Sequence, residues 1–378
     1  MADALSPERL AARYRTFAQA EGAGSPLYHQ LAAAIADDAE LIALLGQARP
    51  GQQLPVALFA AVHDQVLAGH APVLAPFYGS TGGTAPASTA YGAFRDFCLR
   101  ERSRLLATLA SRNVQTNEVR RSVGVHLALR AAAHLTGTDA VGLVELGTSA
   151  GLLLELDRYR YVIDGVVSGD PAAPLTLTTD FRGPHRPPPD RSVTVVERVG
   201  IDTHPLDPAD PDDARWLRAC LWPDQPERDQ RLRAALAIAT ANPAERIEGD
   251  AVDEGPRRAA AVAPDVIPVV FHTWALAYIG RERRRLLADR LARLGRTRPL
   301  VEISLEAPGI APTIPALDAD ADALGLPAGV WDEAASVLGL VVHHGDGTVT
   351  AGSLARVHAH LEWVVWAPSD QIARELRA

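Results

Sequence analysis

Apolar positions recur at helical spacing through the first third of the chain. Ser6-Pro7 predicts a helix start, with Ser6 as N-cap and proline in the first turn. Ser25-Pro26 opens a second helix carrying Leu27, Leu31 and Ile35 on one face, and Pro55 a third, with Val56, Phe59, Ala60, Val62 and His63. GSTGGTAPAS (79–88) reads as a flexible loop. A longer helical region then runs through Phe94, Phe97, Leu105, Leu109, Val119, Val123, Leu127 and Leu129. From residue 141 the pattern changes. Strand-like runs occupy 141–146, 174–179, 193–201, 246–251, 266–272, 299–305, 337–344 and 361–366, with helical patterns at 151–158, 212–240 and 280–294. Such alternation predicts a parallel sheet with crossover helices. The Pro-rich stretch 184–189 reads as the tip of a β-hairpin inserted over about 166–197, and 308–330 as an exposed excursion. Gly345-Asp346-Gly347 marks a closing antiparallel strand pair. The expected organisation is a helical region over 1–135 and an α/β core over 136–378.

With 378 residues, 47% of them hydrophobic, the chain can bury a sizeable core. Its net charge is −9 and no basic block stands out, which argues against nucleic acid as a partner. Cys98 and Cys220 have neither metal-ligand spacing nor a disulfide framework. The first twenty residues lack the apolar core of a signal peptide, and no run reaches transmembrane length. A cytoplasmic protein with no membrane partner is expected, and its oligomeric state is left open. Every basic residue other than histidine is arginine. Chemistry that needs a lysine is therefore excluded: P-loop NTPases, pyridoxal Schiff bases and protein kinases.

The most informative stretch is VGLVELGTSAGLLLELD (141–157). An apolar run ends in Glu145. Gly147, Thr148, Ser149 and Gly151 follow, and then a second apolar run. This reads as strand, tight turn and helix start, a geometry that lets backbone N–H groups approach a ligand closely. One glycine short, it resembles the E-x-G-x-G-x-G fingerprint of class I S-adenosylmethionine (SAM) methyltransferases, with Ser149 in place of the middle glycine. A dinucleotide site fits less well, because the acid precedes the glycines instead of following some twenty residues later. The same residues, GTSAG (147–151), also fit the G-x-S-x-G spacing of an α/β-hydrolase, a reading set below the SAM fingerprint.

Ligands of doubly wound sheets bind at the carboxyl ends of the strands. Three further polar residues fall at such ends. Asp202 is placed to hold a ribose diol. Asp250, followed by Ala251, is placed where class I methyltransferases often hold the adenine amino group. His272 ends the strand whose following loop, with Trp274, faces the transferred methyl in those enzymes. Each acid has a plainer reading, as the cap of a turn or short helix. His272 can serve as a general base or simply be a satisfied buried histidine. Upstream, QTNEVRR (115–121) either opens a helix capped by Thr116 or Asn117, or brings Gln115, Asn117, Glu118 and Arg121 to the cleft. Arg121 suits a carboxylate clamp and Glu118 a proton acceptor. His343-His344 and His358-x-His360 invite a metal, but neighbouring strand residues face opposite ways and no acid or cysteine completes a set, so no metal is expected. The acidic runs 207–213 and 318–322 read as solvated turns.

Longer motifs resemble a large bacterial family of unknown function: GSPLY (24–28), QTNEV (115–119) with Arg121, VELGTSAGL (144–152), DRYRY (157–161), RVGIDTHPLD (198–207), WLRACLWPDQPER (216–228) and EGDAVD (248–253). The resemblance spans nearly the whole chain. The family usually has asparagine where Leu153 stands here. Taken together, the resemblances imply a Rossmann-like class I methyltransferase core with a helical N-terminal cap. In that reading SAM lies over Gly147–Gly151, its methionine end toward QTNEV. Phe77, Tyr78 and Trp274 exclude water from a small-molecule acceptor, and His272 or Glu118 takes its proton. Two other readings stay open: SAM used for cyclisation or another alkyl transfer, and a non-catalytic SAM- or nucleotide-binding protein.

Overall fold

The computed structural model describes residues 5–19, 24–49, 51–314 and 335–377. The chain divides into two compact units, one joining Met1–Asn117 to Leu206–Arg233 and the other joining Glu118–Pro205 to Ala234–Ala378.

The first unit opens with helices α1 (Pro7–Gln19), α2 (Pro26–Ile35), α3 (Ala39–Leu45), α4 (Pro55–Leu67), α5 (Ala90–Arg100) and α6 (Arg102–Ser111). Ser25 caps α2, its hydroxyl accepting from the Tyr28 N–H at 3.2 Å, and Asp38 caps α3 through the Glu40 and Leu41 N–H groups. The core gathers round Phe59, which stacks on Tyr28 with ring centroids 4.4 Å apart and meets Tyr14 and Phe94 edge-on. The segment 79–88, expected to be a loop, contains short 3-10 turns at Gly79–Thr81 and Ala87–Thr89.

Residues 206–233 join this unit although the strand–helix grammar assigned them to the α/β core. Trp222 packs edge-on against Phe17 and Tyr28, the Trp216 indole N–H donates to the Asn113 carbonyl, and Arg215 pairs with Asp64 at 2.8 Å. The helix expected over 212–240 is broken into α8 (Pro211–Ala219) and α9 (Pro226–Ala241) across Trp222-Pro223. Conversely α7 (Ser122–Thr136), which falls within the expected cap, belongs to the second unit.

The second unit is an eleven-stranded sheet. Its strands are β1 (Ala140–Leu146), β2 (Arg160–Ile163), β3 (Val166–Gly169), β4 (Thr176–Arg182), β5 (Thr194–Asp202), β6 (Glu245–Glu248), β7 (Ile267–Thr273), β8 (Leu300–Glu306), β9 (Ala335–His343), β10 (Val349–His358) and β11 (Trp363–Trp366). Their spatial order is β3-β2-β4-β11-β10-β9-β8-β7-β1-β5-β6. The run β6-β5-β1-β7-β8 is wholly parallel, whereas β9, β10 and β11 alternate in direction. The β9–β10 hairpin turns through Gly345 and Gly347, both at positive φ, as the Asp-Gly signal predicts.

Helices α10 (Ala251–Ala261) and α11 (Arg281–Gly295) supply Val252, Ala259, Leu287 and Leu291 to a core shared with Val144, Leu146, Ile201 and Val270 of the parallel strands. Helix α10 lies close on β1: a Cβ added at Gly255 would sit 2.8 Å from the Leu146 side chain. Helix α7 lies against Leu305 and Leu338 through Gly124. The short α12 (Asp370–Glu375) rests on β10.

Two local expectations are corrected. The insertion over 166–197 is not one hairpin tipped by prolines. The hairpin is β2–β3, turning at Asp164-Gly165 with both residues at positive φ, and β4 runs parallel to β2 and β11. The run 151–158 is not α-helical but a kinked pair of 3-10 turns over Leu152–Arg158. Side chains take the carbonyls an α-helix would need: Tyr159 donates to Leu152, Arg198 to Leu154 and Tyr161 to Leu156. The acidic run 318–322 and most of 308–330 lie outside the described residues.

Gly200 of β5 allows the Thr148 side chain to lie flat on the sheet, since an added Cβ would come within 2.3 Å of its hydroxyl oxygen. Gly200→Ala is therefore expected to lower unfolding stability by about 1–3 kcal/mol, read in urea melts. An unchanged midpoint would show that Thr148 moves aside at no cost.

Candidate functional site

From β1 the neighbouring parallel strands continue in opposite senses, to β5 and β6 on one side and to β7 and β8 on the other. That reversal is the topological switch point of the sheet, the place beyond the strands' carboxyl ends where ligands of such sheets bind. The residues after β1 and β7 meet there. Gly147 has φ +76° and Gly151 +74°. Ser149, at +53°, and Trp274, at +56°, hold the left-handed conformation without being glycine. A Cβ added at Gly147 would lie 2.5 Å from the Ala275 Cβ, so the two loops touch where only glycine fits.

Side-chain alternation divides the polar residues between two faces. Glu145 pairs in register with Gly200 and Phe271, and points away from the face that carries Val144 and Val270. Its Oε2 accepts from the Thr148 hydroxyl at 2.7 Å, and it is buried. Burial, reinforced by the nearby charge of Asp202, raises its pKa to about 8 despite the Thr148 bond. Asp202 follows on the same side. One carboxylate oxygen accepts from the Ser149 N–H and the other from the His204 N–H, each at 2.9 Å. The Gly147 and Thr148 N–H groups both donate to the Ile201 carbonyl. The turn expected to offer its N–H groups to a ligand thus spends three of them on β5, and Asp202 is first the brace of that turn.

On the other face His272, in register with Leu146 and Ser304, is buried. Its Nδ1 lies 2.9 Å from Oε1 of Glu306, the last residue of β8. The same oxygen accepts from the Ala275 and Leu276 N–H groups at 2.9 and 3.0 Å. Oε2 is buried and has no hydrogen-bond partner among the described residues. Glu306 was missed in the sequence, yet the signal was there: LVEISLE ends in an acid, as VGLVE does. The Trp274 indole N–H donates to Ser336 at 2.8 Å.

Arg121 is spent on the fold as well. Its guanidinium donates to the Ala359 and Thr273 carbonyls and lies 5.9 Å from the Trp274 ring. Glu118, not Thr116 or Asn117, is the cap after QTNEV. Its Oε1 accepts from the Arg120 N–H, while its Oε2 lies 3.3 Å from the His360 imidazole. Asp250 caps α10, accepting from the Val252 N–H at 2.8 Å, and pairs with Arg283 at 2.6 Å, with Ala251 as the first residue of the helix. The plainer reading of Asp250 is thus realised. Tyr78, Gln115 and Asn117 lie in the first unit, where Tyr78 is buried against His63, with ring centroids 5.2 Å apart. His343 contacts Glu302 and His344 contacts Thr350, and no group able to hold a metal ion occurs among the described residues.

These features define an α/β protein with a large, mostly parallel sheet and a polar cluster at its switch point. The chain belongs to a family described as "Uncharacterized protein conserved in bacteria (DUF2332)", whose model matches residues 11–366. No curated protein and no solved structure matches it.

The raised Glu145 pKa sets a pH dependence. The native state keeps this carboxyl protonated between the ordinary carboxylate pKa and about 8, so over that window it binds more protons than the unfolded chain. Its contribution to stability is complete below about pH 4.5 and is lost as pH rises through about 8, with a slope approaching about 1.4 kcal/mol per pH unit in between. Glu145→Gln, which stays neutral, is expected to gain stability relative to the parent across this window. Parallel melts from pH 5 to 9 check it, and equal slopes would show that Glu145 ionises freely when folded.

Proposed function

We propose that this protein is a SAM-dependent transferase acting on a small molecule, methyl transfer being the first choice, with the ligand at the switch point between β1 and β7. The observation that carries this reading is the convergence of Gly147, Ser149 and Trp274, all in left-handed backbone conformations, beside three buried polar groups: Glu145, His272 and Glu306. Strain of this kind persists where the surroundings impose it, and it concentrates at ligand sites.

The donor set suits a cationic, hydroxyl-rich ligand in part. Glu145 and Asp202 are the two acids placed to hold it. A positive group beside Glu145 would stabilise its carboxylate, so binding would release a proton from a group whose pKa stands near 8. Asp250 is occupied by Arg283 and by its cap, so no adenine contact is assigned to it. When bound, the cofactor supplies an electrophilic methyl. The chain contributes positioning, and His272 is the group suited to accept the acceptor's proton. Three N–H groups of the turn are already paired within the fold, so the ligand would be held mainly by side chains.

Calorimetric titration with SAM, S-adenosylhomocysteine and NAD tests this. Saturable binding of the first two alone is expected, and no binding of either overturns the reading. NAD binding alone would point to a dinucleotide site. Asp202→Ala is expected to weaken SAM binding by about 1–3 kcal/mol, by loosening the turn and removing a charge-assisted acceptor. An unchanged Kd would place the ligand elsewhere.

A further inference from the structure

We infer that Glu306 is the positioning residue of the switch-point site: it fixes the His272 imidazole in the Nδ1–H tautomer, leaving Nε2 as the nitrogen with a free lone pair. Three donors converge on Glu306 Oε1: the His272 ring at 2.9 Å and the Ala275 and Leu276 N–H groups at 2.9 and 3.0 Å. The two backbone donors identify this oxygen as the acceptor, so the ring nitrogen facing it carries the hydrogen. Once the tautomer is set in this way, the other ring nitrogen accepts protons, the arrangement in which a carboxylate orients a histidine base. Nε2 makes no hydrogen bond among the described residues.

The carboxylate does more than orient the ring. By holding the Ala275 and Leu276 N–H groups it pins the loop that carries the left-handed Trp274 and touches Gly147. One side chain from β8 therefore sets both the imidazole and the wall of the glycine turn. Glu306 also lines a small pocket of about 10 Å³ with Ser304, Gly309, Ala311, Ile314 and Val337, room for about one water molecule. The catalytic consequence rests on the proposed role of His272 as base, but the tautomer does not.

The test is nitrogen-15 NMR of the ligand-free protein labelled at histidine, with His272→Gln to assign the signal. In the parent protein Nδ1 should resonate in the pyrrole-like range and Nε2 in the pyridine-like range. Glu306→Leu, which removes the acceptor, should shift both signals toward the averaged positions of a freely exchanging imidazole, and Glu306→Gln, whose amide oxygen can still accept, should keep the parent pattern at least in part. A pyridine-like Nδ1 in the parent overturns the inference without any variant having to fold. So does an unchanged His272 spectrum in a folded Glu306→Leu protein. Because no SAM is present, failure of the cofactor reading leaves this result standing, and the reverse holds too.

Discussion

The switch point depends on a contact that admits no side chain. Gly147 leaves β1 with φ +76°, and the space its Cβ would fill is taken by Ala275, on the loop leaving β7. Each loop is the other's stop. The β1 loop is held from the far side, where Ile201 and Asp202 accept its N–H groups, and the β7 loop is held by Glu306. Strands β5, β1, β7 and β8 are thus tied at their carboxyl ends by hydrogen bonds that do not belong to the sheet ladder. Such ties let Ser149 and Trp274 keep a backbone conformation that costs of order 1–3 kcal/mol each.

Three of the motifs singled out in the sequence form one connected piece of structure. In VELGTSAGL and DRYRY, Glu145 binds Thr148, Tyr159 reaches back to Leu152, and Tyr161 reaches back to Leu156 while stacking on His126 at 4.2 Å. Arg198, from RVGID, donates to the Leu154 carbonyl and pairs with Asp157. The arginines and tyrosines of these motifs are largely occupied in shaping the connection between β1 and β2.

What could be read from the sequence follows the range of each interaction. Local signals held. Ser25-Pro26 caps α2, Asp346-Gly347 turns the β9–β10 hairpin, and the apolar runs ending at Glu145 and His272 are β1 and β7. Asp164-Gly165 carries the same turn signal, and it, not the prolines at 184–189, is where the β2–β3 hairpin turns. Long-range partners were not legible. No periodicity shows that Tyr159 and Tyr161 will take the carbonyls of 152–158, that Trp222 will join the aromatic core at Tyr28, or that Glu306 will meet His272 from 34 residues away. The acid that ends β8 follows the same pattern as the acid that ends the apolar run of β1.

The two outermost strands, β3 and β6, are each four residues long. Strand β3 stops at Gly169, whose φ is +75° and whose added Cβ would strike the Tyr159 carbonyl at 2.3 Å, so the chain must turn away there. Val166 and Val167 are exposed, which on a longer border would invite another chain to pair. A row of four residues offers too few open N–H and C=O groups to template such an addition. The borders of this wide sheet are blunted by brevity, and the protein gains resistance to edge-to-edge aggregation without placing a charge or a proline on β3.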